Sequence, residues 1–304
     1  MIKVQSREFA GLDDALKYCE TLEESGRIID LNGTVIKGQL EIPVTGVRLK
    51  NGVIENDYGA YEMMDDGFKR GTFRSFTLYI SADRVSLENM VIRNTSGYHN
   101  GQAIALMVDG DEFTAEHSVI SSYQDTLFIA PLPEHEYEAR GFVGPLENKS
   151  REFRHSVFSD CLIEGSVDFI FGGGFGYFSK CEFRSRNIHS GINGYVFAPS
   201  TPPDQPYGFI ADNCRFTAEE GMEESVYLAR PWRDHAKCLI ADCAVGPHIK
   251  SEGYSDWNKP DARITSEFKE FGSRCAGNCR RADWIKDVTD EDIKYIHILR
   301  RNNL

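Results

Sequence analysis

Two short stretches place carboxylates where chemistry could use them. In SSYQDTLFIAP, residues 121–131, a strand-like start leads to Gln124 and Asp125 side by side, then to an apolar run. In EGSVDFIFGGG, residues 164–174, Asp168 follows an apolar strand and a Gly-Ser corner, and again leads into aromatic and aliphatic residues. Matching Val119 to Leu162 and Ile120 to Ile163 sets Asp125 against Asp168, 43 residues further on. Neighbouring parallel strands lie about 4.8 Å apart, so this alignment brings two carboxyl groups together. Close like charges split their protonation, leaving one group charged while the other holds a proton. That division suits nucleophilic and acid–base work; a solvated ladder of two surface aspartates is the alternative.

The elements that must position such a pair emerge from a repeat. LENMVIRN, AEHSVISS, FSDCLIEG, FSKCEFRS, ADNCRFTA and IADCAVGP share one outline, a short strand in which a polar residue precedes a small or sulfur-containing one. Aligned on Met90, Ser118, Cys161, Cys181, Cys214 and Cys243, the copies are spaced by 28, 43, 20, 33 and 29 residues. Irregular spacing suits stacked coils with loops of variable length. A second strand set, QAIALMV, DTLFIA, DFIFGG, YVFAPS and VYLARPW, lies between the first, with almost no helix. A doubly wound sheet would require helices there, so the expected class is all-β, a parallel β-helix, with a sandwich or barrel as the competing arrangement.

The chain is expected to form one domain over residues 1–304. A capping strand and helix would occupy about residues 1–25, with Leu12, Leu16, Cys19 and Leu22 on the helix's apolar face. A flanking segment would occupy about 280–304, where Thr289 is a plausible N-cap for TDEDIKYIHIL, closing or flanking the far end. The four aligned cysteines fit an interior ladder; Cys275 and Cys279 are either free thiols or a local disulfide. The eight histidines show no metal-ligand spacing, and the glycine run FGGGFG precedes a strand rather than the helix a phosphate cradle needs. No metal or cofactor is expected. A net charge of −13 argues against sequence-independent nucleic-acid binding. No apolar run is long enough for a membrane helix and the N-terminus has no secretory h-region. With eight cysteines, this gives the expectation of a cytoplasmic monomer, the alternative being a secreted protein whose leader has been removed.

GQAIAL, YQDTLF, VDFIFG and YLARPW, in this order, resemble the four signature segments of pectin methylesterases, carbohydrate esterases that remove methyl esters from galacturonan. The family fold is a right-handed parallel β-helix, in agreement with the repeat. The resemblance implies that Asp168 is the nucleophile, Asp125 the general acid and later the base, and Arg230 the partner of Asp168. It further implies that Gln102 and Gln124 stabilise the oxyanion. Phe171, Trp232 and Trp257 match cleft positions, with Tyr123 and Tyr254 as further substrate-binding candidates. The implied partners are methyl-esterified galacturonan or its oligomers. A β-helix lyase, a galacturonase or a carbohydrate-binding β-helix are the alternatives. Ala229 stands where the family usually has glycine, which would crowd the cleft, and Gly173 and Gly174 replace the usual Asn-Ala. Neighbours Gln124 and Asp125 would point to opposite faces of a straight strand, so both can serve only if the chain bends there.

Overall fold

The computed structural model describes residues 1–302. It is a right-handed parallel β-helix with three walls. One wall is a seven-stranded sheet from Leu40–Ile42 through Leu78–Ile80, Leu106–Val108, Leu127–Ile129, Ile170–Gly172 and Gly194–Pro199 to Val226–Ala229, each strand beside the next. The other two walls form an 18-stranded sheet, because the long strands Arg48–Asn56 and Ser86–Asn94 run through both in the early coils. Among the described strands, only the N-terminal Ile2–Val4, Arg7–Phe9 and Ile28–Asp30 pair antiparallel, apart from an isolated antiparallel bridge between Met63 and Lys69.

Register is set by side chains that stack inward. Leu78, Leu106, Leu127, Ile170 and Phe197 form one interior column. Ile54, Ile92, Ile120, Ile163, Phe183 and Phe216 form a second. All of them are buried. Each such side chain contributes on the order of 1.5–3 kcal/mol, and a slip by one residue would turn the whole column towards water.

The repeat seen in the sequence is the corner between the two walls of the larger sheet. Asn51, Asn89, His117, Asp160, Lys180, Asn213 and Asp242 all have φ between 50° and 58°. A left-handed residue turns the chain there, and Asn and Asp tolerate it best, which explains the polar position in each copy. The residue that follows points inward. The Cys161, Cys181, Cys214 and Cys243 thiols are buried, and each donates to a carbonyl of the preceding coil, Ala115, Phe158, Phe178 and Ala211, at 3.3–3.5 Å. The expected cysteine ladder is therefore present, and Cys275–Cys279 is a disulfide.

Helix α1, Leu12–Glu20, buries Leu12, Ala15, Leu16 and Cys19 and joins the core at its N-terminal end. Helix α2 is the short Ala262–Thr265. Helix α3, Asp290–Asn302, starts at a reciprocal cap: Asp292 N donates to Thr289 Oγ1 at 3.2 Å, and Thr289 N donates to Asp292 Oδ2 at 2.8 Å. It flanks the coils instead of closing them. Ile296 packs on the outward side chains Phe175, Tyr177, Ile210 and Leu239, and Arg300 pairs with Asp212 and Asp242. Trp284 and Ile285, just before it, pack against the main core. No helix among the described residues is long and apolar enough to cross a membrane, which says nothing of a β-barrel.

Candidate active site

Asp125 and Asp168 sit at the corner leading into the seven-stranded wall. Val119 pairs with Leu162 before them and Leu127 with Ile170 after them, so the 43-residue alignment holds on both sides. The bend that the sequence required is local. Asp125 has φ 60° and Asp168 φ 49°, both left-handed. The turn lets Gln124 and Asp125 face the same cleft although they are neighbours. Gln102 and Gln124 both line that cleft, but the Leu106–Leu127 pairing sets Gln124 beside Ala103, so the two amides are one residue out of ladder register.

The cleft has a volume of about 380 Å³. Arg230, in the residue after strand Val226–Ala229, grips Asp168 with two parallel bonds, Nε to Oδ1 at 2.7 Å and Nη2 to Oδ2 at 2.5 Å. Its guanidinium is held flat between two rings, 3.8 Å from the Tyr195 centroid and 3.5 Å from that of Trp257. Asp125 is pushed well above the usual carboxyl range by burial and by the charge of Asp168, against the opposing pull of Arg230 and a Gln124 hydrogen bond. The Gln102 carboxamide has no hydrogen-bond partner among the described residues and is free to donate to a ligand. A fixed carboxylate, a carboxyl group that favours its proton and two amides in one cleft can carry out nucleophilic attack with acid assistance.

The aromatic candidates divide. Phe171 lines the cleft but is nearly buried, packed on Phe128, Phe73 and Trp232. Trp232 is half-buried in the same wall and remains the open aromatic surface. Trp257 lines the cleft while its ring holds Arg230. Two assignments are corrected. Tyr254 is buried, stacked on Phe268 at 5.5 Å with its hydroxyl on Glu270, because its bridge to Ala229 draws it into the core. Tyr123 lies outside the cleft, between Tyr98 and the Arg186 guanidinium. The Ala229 methyl is likewise in the core and does not crowd the cleft. Gly173 and Gly174 lie against the backbone of Ala130 and Pro131, where a Cβ would approach carbonyl oxygens to 2.7 and 2.2 Å. Their glycines serve that close approach.

Sequence reasoning missed Tyr137, Glu138, Phe142, Arg233 and Lys259, all of which line the cleft. The first three come from the polar excursion 131–151, which resembles a surface loop in the sequence. Burial and nearby guanidiniums bring the Lys259 amine down to about 8. An ion pair of Arg263 with Asp256 at 2.7 Å holds the segment that carries Lys259, a contact for which the sequence offers no periodic signal.

Comparison with known proteins places this geometry. The family model described as Pectinesterase matches residues 5–136 and 148–294, and the chain belongs to that family. Pectinesterase/pectinesterase inhibitor 3 of Arabidopsis thaliana is 30% identical over 222 residues, 70% of this chain and 34% of that protein. Among solved structures, pectin methylesterase PemA from Erwinia chrysanthemi is similar with a TM-score of 0.74 at 26% identity, covering 95% of this chain and 92% of the other. The pectin methylesterase from Yersinia enterocolitica gives 0.74 at 26% identity, covering 94% and 96%. The chain spans 34–48% of the length of the first curated relatives it matches. Membership of this family overturns the cytoplasmic expectation. Its plant and microbial members act on pectin, an extracellular polymer, which points to a secreted or wall-associated protein. The inference from cysteine count failed because six of the eight thiols are simply buried core residues, while the remaining two form the disulfide.

Proposed function

We propose that the protein is a pectin methylesterase that hydrolyses the methyl esters of galacturonate units in pectin or its oligomers. Asp168 attacks the ester carbonyl, oriented by the two Arg230 bonds. As the carbonyl π-bond opens, the Gln102 and Gln124 amides donate to the oxyanion, each contributing about 3 kcal/mol. The tetrahedral centre collapses, the C–O bond to methoxide breaks, and Asp125 gives up its proton so that methanol leaves. An anhydride between Asp168 and the uronate remains. Water then adds to it, Asp125 takes the water proton, and the galacturonate carboxylate departs with Asp168 restored. The proton needed in the first half is the one that burial and Asp168 hold on Asp125.

The observation that carries this proposal is the pairing of a doubly bonded Arg230–Asp168 contact with a buried, proton-retaining Asp125 one coil away. Trp232 offers the face on which a sugar ring can lie. The test is a product assay on methyl-esterified oligogalacturonides. Methanol release supports the esterase, an unsaturated product a lyase and new reducing ends a hydrolase of the chain; binding with none of the three supports a carbohydrate-binding protein.

A further inference from the structure

The far end of the core finishes on a carboxylate. In one inward column Phe158, Phe178, Ala211 and Ile240 stack in register, and the next place, on strand Glu267–Phe271, is taken by Glu270. Arg281 meets it with two bonds, Nε to Oε2 at 2.7 Å and Nη2 to Oε1 at 3.1 Å, and both side chains are largely buried. The Tyr254 hydroxyl donates to the same carboxylate at 3.3 Å. A buried charge is tolerated in such a place only while it is paired, so this end of the core depends on Arg281 staying where it is. The disulfide holds it there. Arg281 follows Cys279 by two residues, and its Nη2 also donates to Cys275 Sγ at 3.2 Å.

The same arginine lies on the turn that carries Trp257. Arg281 Nη1 donates to the Ser251 carbonyl at 3.3 Å, and Gly253 leaves room for the side chain, since a Cβ there would stand 2.7 Å from Arg281 Cδ. Arg280 N donates to Ser251 Oγ at 3.2 Å and Ala282 N to the Glu252 carbonyl at 2.9 Å. On its other side the turn is bonded to the strand that ends at Ala229: Leu228 N donates to the Gly253 carbonyl at 2.7 Å and Ser255 N to the Ala229 carbonyl at 3.0 Å. Trp257 N donates to Ser255 Oγ at 3.2 Å, and its ring centroid lies 3.5 Å from the Arg230 guanidinium that grips Asp168. One continuous clamp therefore runs from the disulfide to the partner of Asp168.

We propose that Arg281 is a positioning residue for the reaction, held by the Cys275–Cys279 bond, so that opening this bond slackens the turn 251–257 and with it the grip of Trp257 on Arg230. This inference rests on the esterase function proposed above. The opening step is thiol–disulfide exchange with a dithiol. A thiolate of the reductant attacks one sulfur, the sulfur–sulfur bond breaks, and the second thiol of the reductant then closes its own disulfide; two electrons and two protons pass to the protein, and Cys275 and Cys279 become thiols. Cys279 is exposed, so a reductant can reach the bond. The other six cysteines are buried and already free, which makes this bond the one target. With the loop open, Arg281 keeps its charge but loses the tether that sets its direction, and Arg230 retains only the Tyr195 ring as a firm support.

The test takes the full oxidised protein before and after dithiothreitol, with methanol release from a methyl-esterified oligogalacturonide and amide hydrogen exchange as the two readouts. Reduction should lower kcat about tenfold and leave KM within about threefold, because it disturbs the orientation of Arg230 more than the contact with substrate. Exchange should quicken at residues 251–257 and stay as it was in strands Leu106–Val108 and Leu127–Ile129. Reoxidation should restore both. Arg281→Met in the oxidised protein should show the same loss with no further effect of reductant, and Arg281→Lys, which keeps the charge, should recover part of it. The proposal is overturned by a reduced wild type whose kcat stays within about twofold of the oxidised one, by a loss on reduction as large in Arg281→Met as in wild type, or by exchange that rises throughout the walls. Methanol release with unaltered kcat and exchange would sink the clamp alone. Faster exchange at 251–257 in a protein that releases no methanol would sink the esterase and leave the clamp standing.

Discussion

Asp125 and Asp168 occupy equivalent positions on successive coils, and both hold a left-handed backbone, at φ 60° and 49°. The shared conformation aims both carboxyl groups into one cleft, where only Asp168 receives the guanidinium directly. The asymmetry of that pair is what the proposed division of roles rests on.

A first consequence concerns pH. An unfolded aspartate titrates near 3.9, and folding raises Asp125 well above this through burial and the Asp168 charge. A raised acid contributes stability below its unfolded value and loses that contribution as pH rises through the folded one. Asparagine is neutral throughout. Asp125→Asn should therefore melt at least about 2 °C above wild type at pH 8, with the gap closing near pH 4, as read by circular dichroism. A gap that widens in acid would contradict the assignment. Methanol release by wild type should also decline on the alkaline side as Asp125 loses its proton.

Trp257 tests positioning. It has φ 56°, uncommon for a bulky side chain, and its ring holds Arg230 against Tyr195. Trp257→Ala should lower kcat by about a hundredfold through misplacement of Arg230 and thereby Asp168. Trp257→Phe, which keeps a ring, should recover most of the loss. Steady-state kinetics on a methyl ester checks both, and a kcat for the alanine variant equal to wild type would remove this role.

The cysteine ladder gives a stability test independent of function. Cys161, Cys181, Cys214 and Cys243 are buried, each bonded to the coil before it. Native protein should react slowly with a thiol reagent at these four and fully once denatured. Fast native labelling of all four, resolved by mass spectrometry, would contradict the packing.

Much of this was legible in the residues because it follows from strict periodicity. The spacings 28, 43, 20 and 33 reappear as the pairings of Val91 with Val119, Val119 with Leu162, Leu162 with Glu182 and Glu182 with Arg215. Column packing allows no other register, so the repeat carried both the walls and the Asp125–Asp168 match. The exceptions are residues whose direction depends on non-repeating chain. The sequence makes Tyr254 a candidate cleft residue, but its backbone bridge to Ala229 turns it inward. Tyr123 precedes the left-handed corner and faces Arg186. Arg233, in the loop after strand Val226–Ala229, meets His135 and Tyr137 of the 131–151 excursion, and Lys259 lies in the segment after Trp257; none of these segments has a period to read.

The central claim is that Asp168 is the covalent nucleophile. Methanol release from a methyl-esterified oligogalacturonide by Asp168→Asn, with the fold verified by circular dichroism and substrate binding by calorimetry, tests it most directly. The predicted result is a loss of at least about 10⁴-fold in kcat with substrate still bound, since asparagine keeps the shape but not the attacking carboxylate. Turnover near the wild-type rate in a folded Asp168→Asn protein would contradict it.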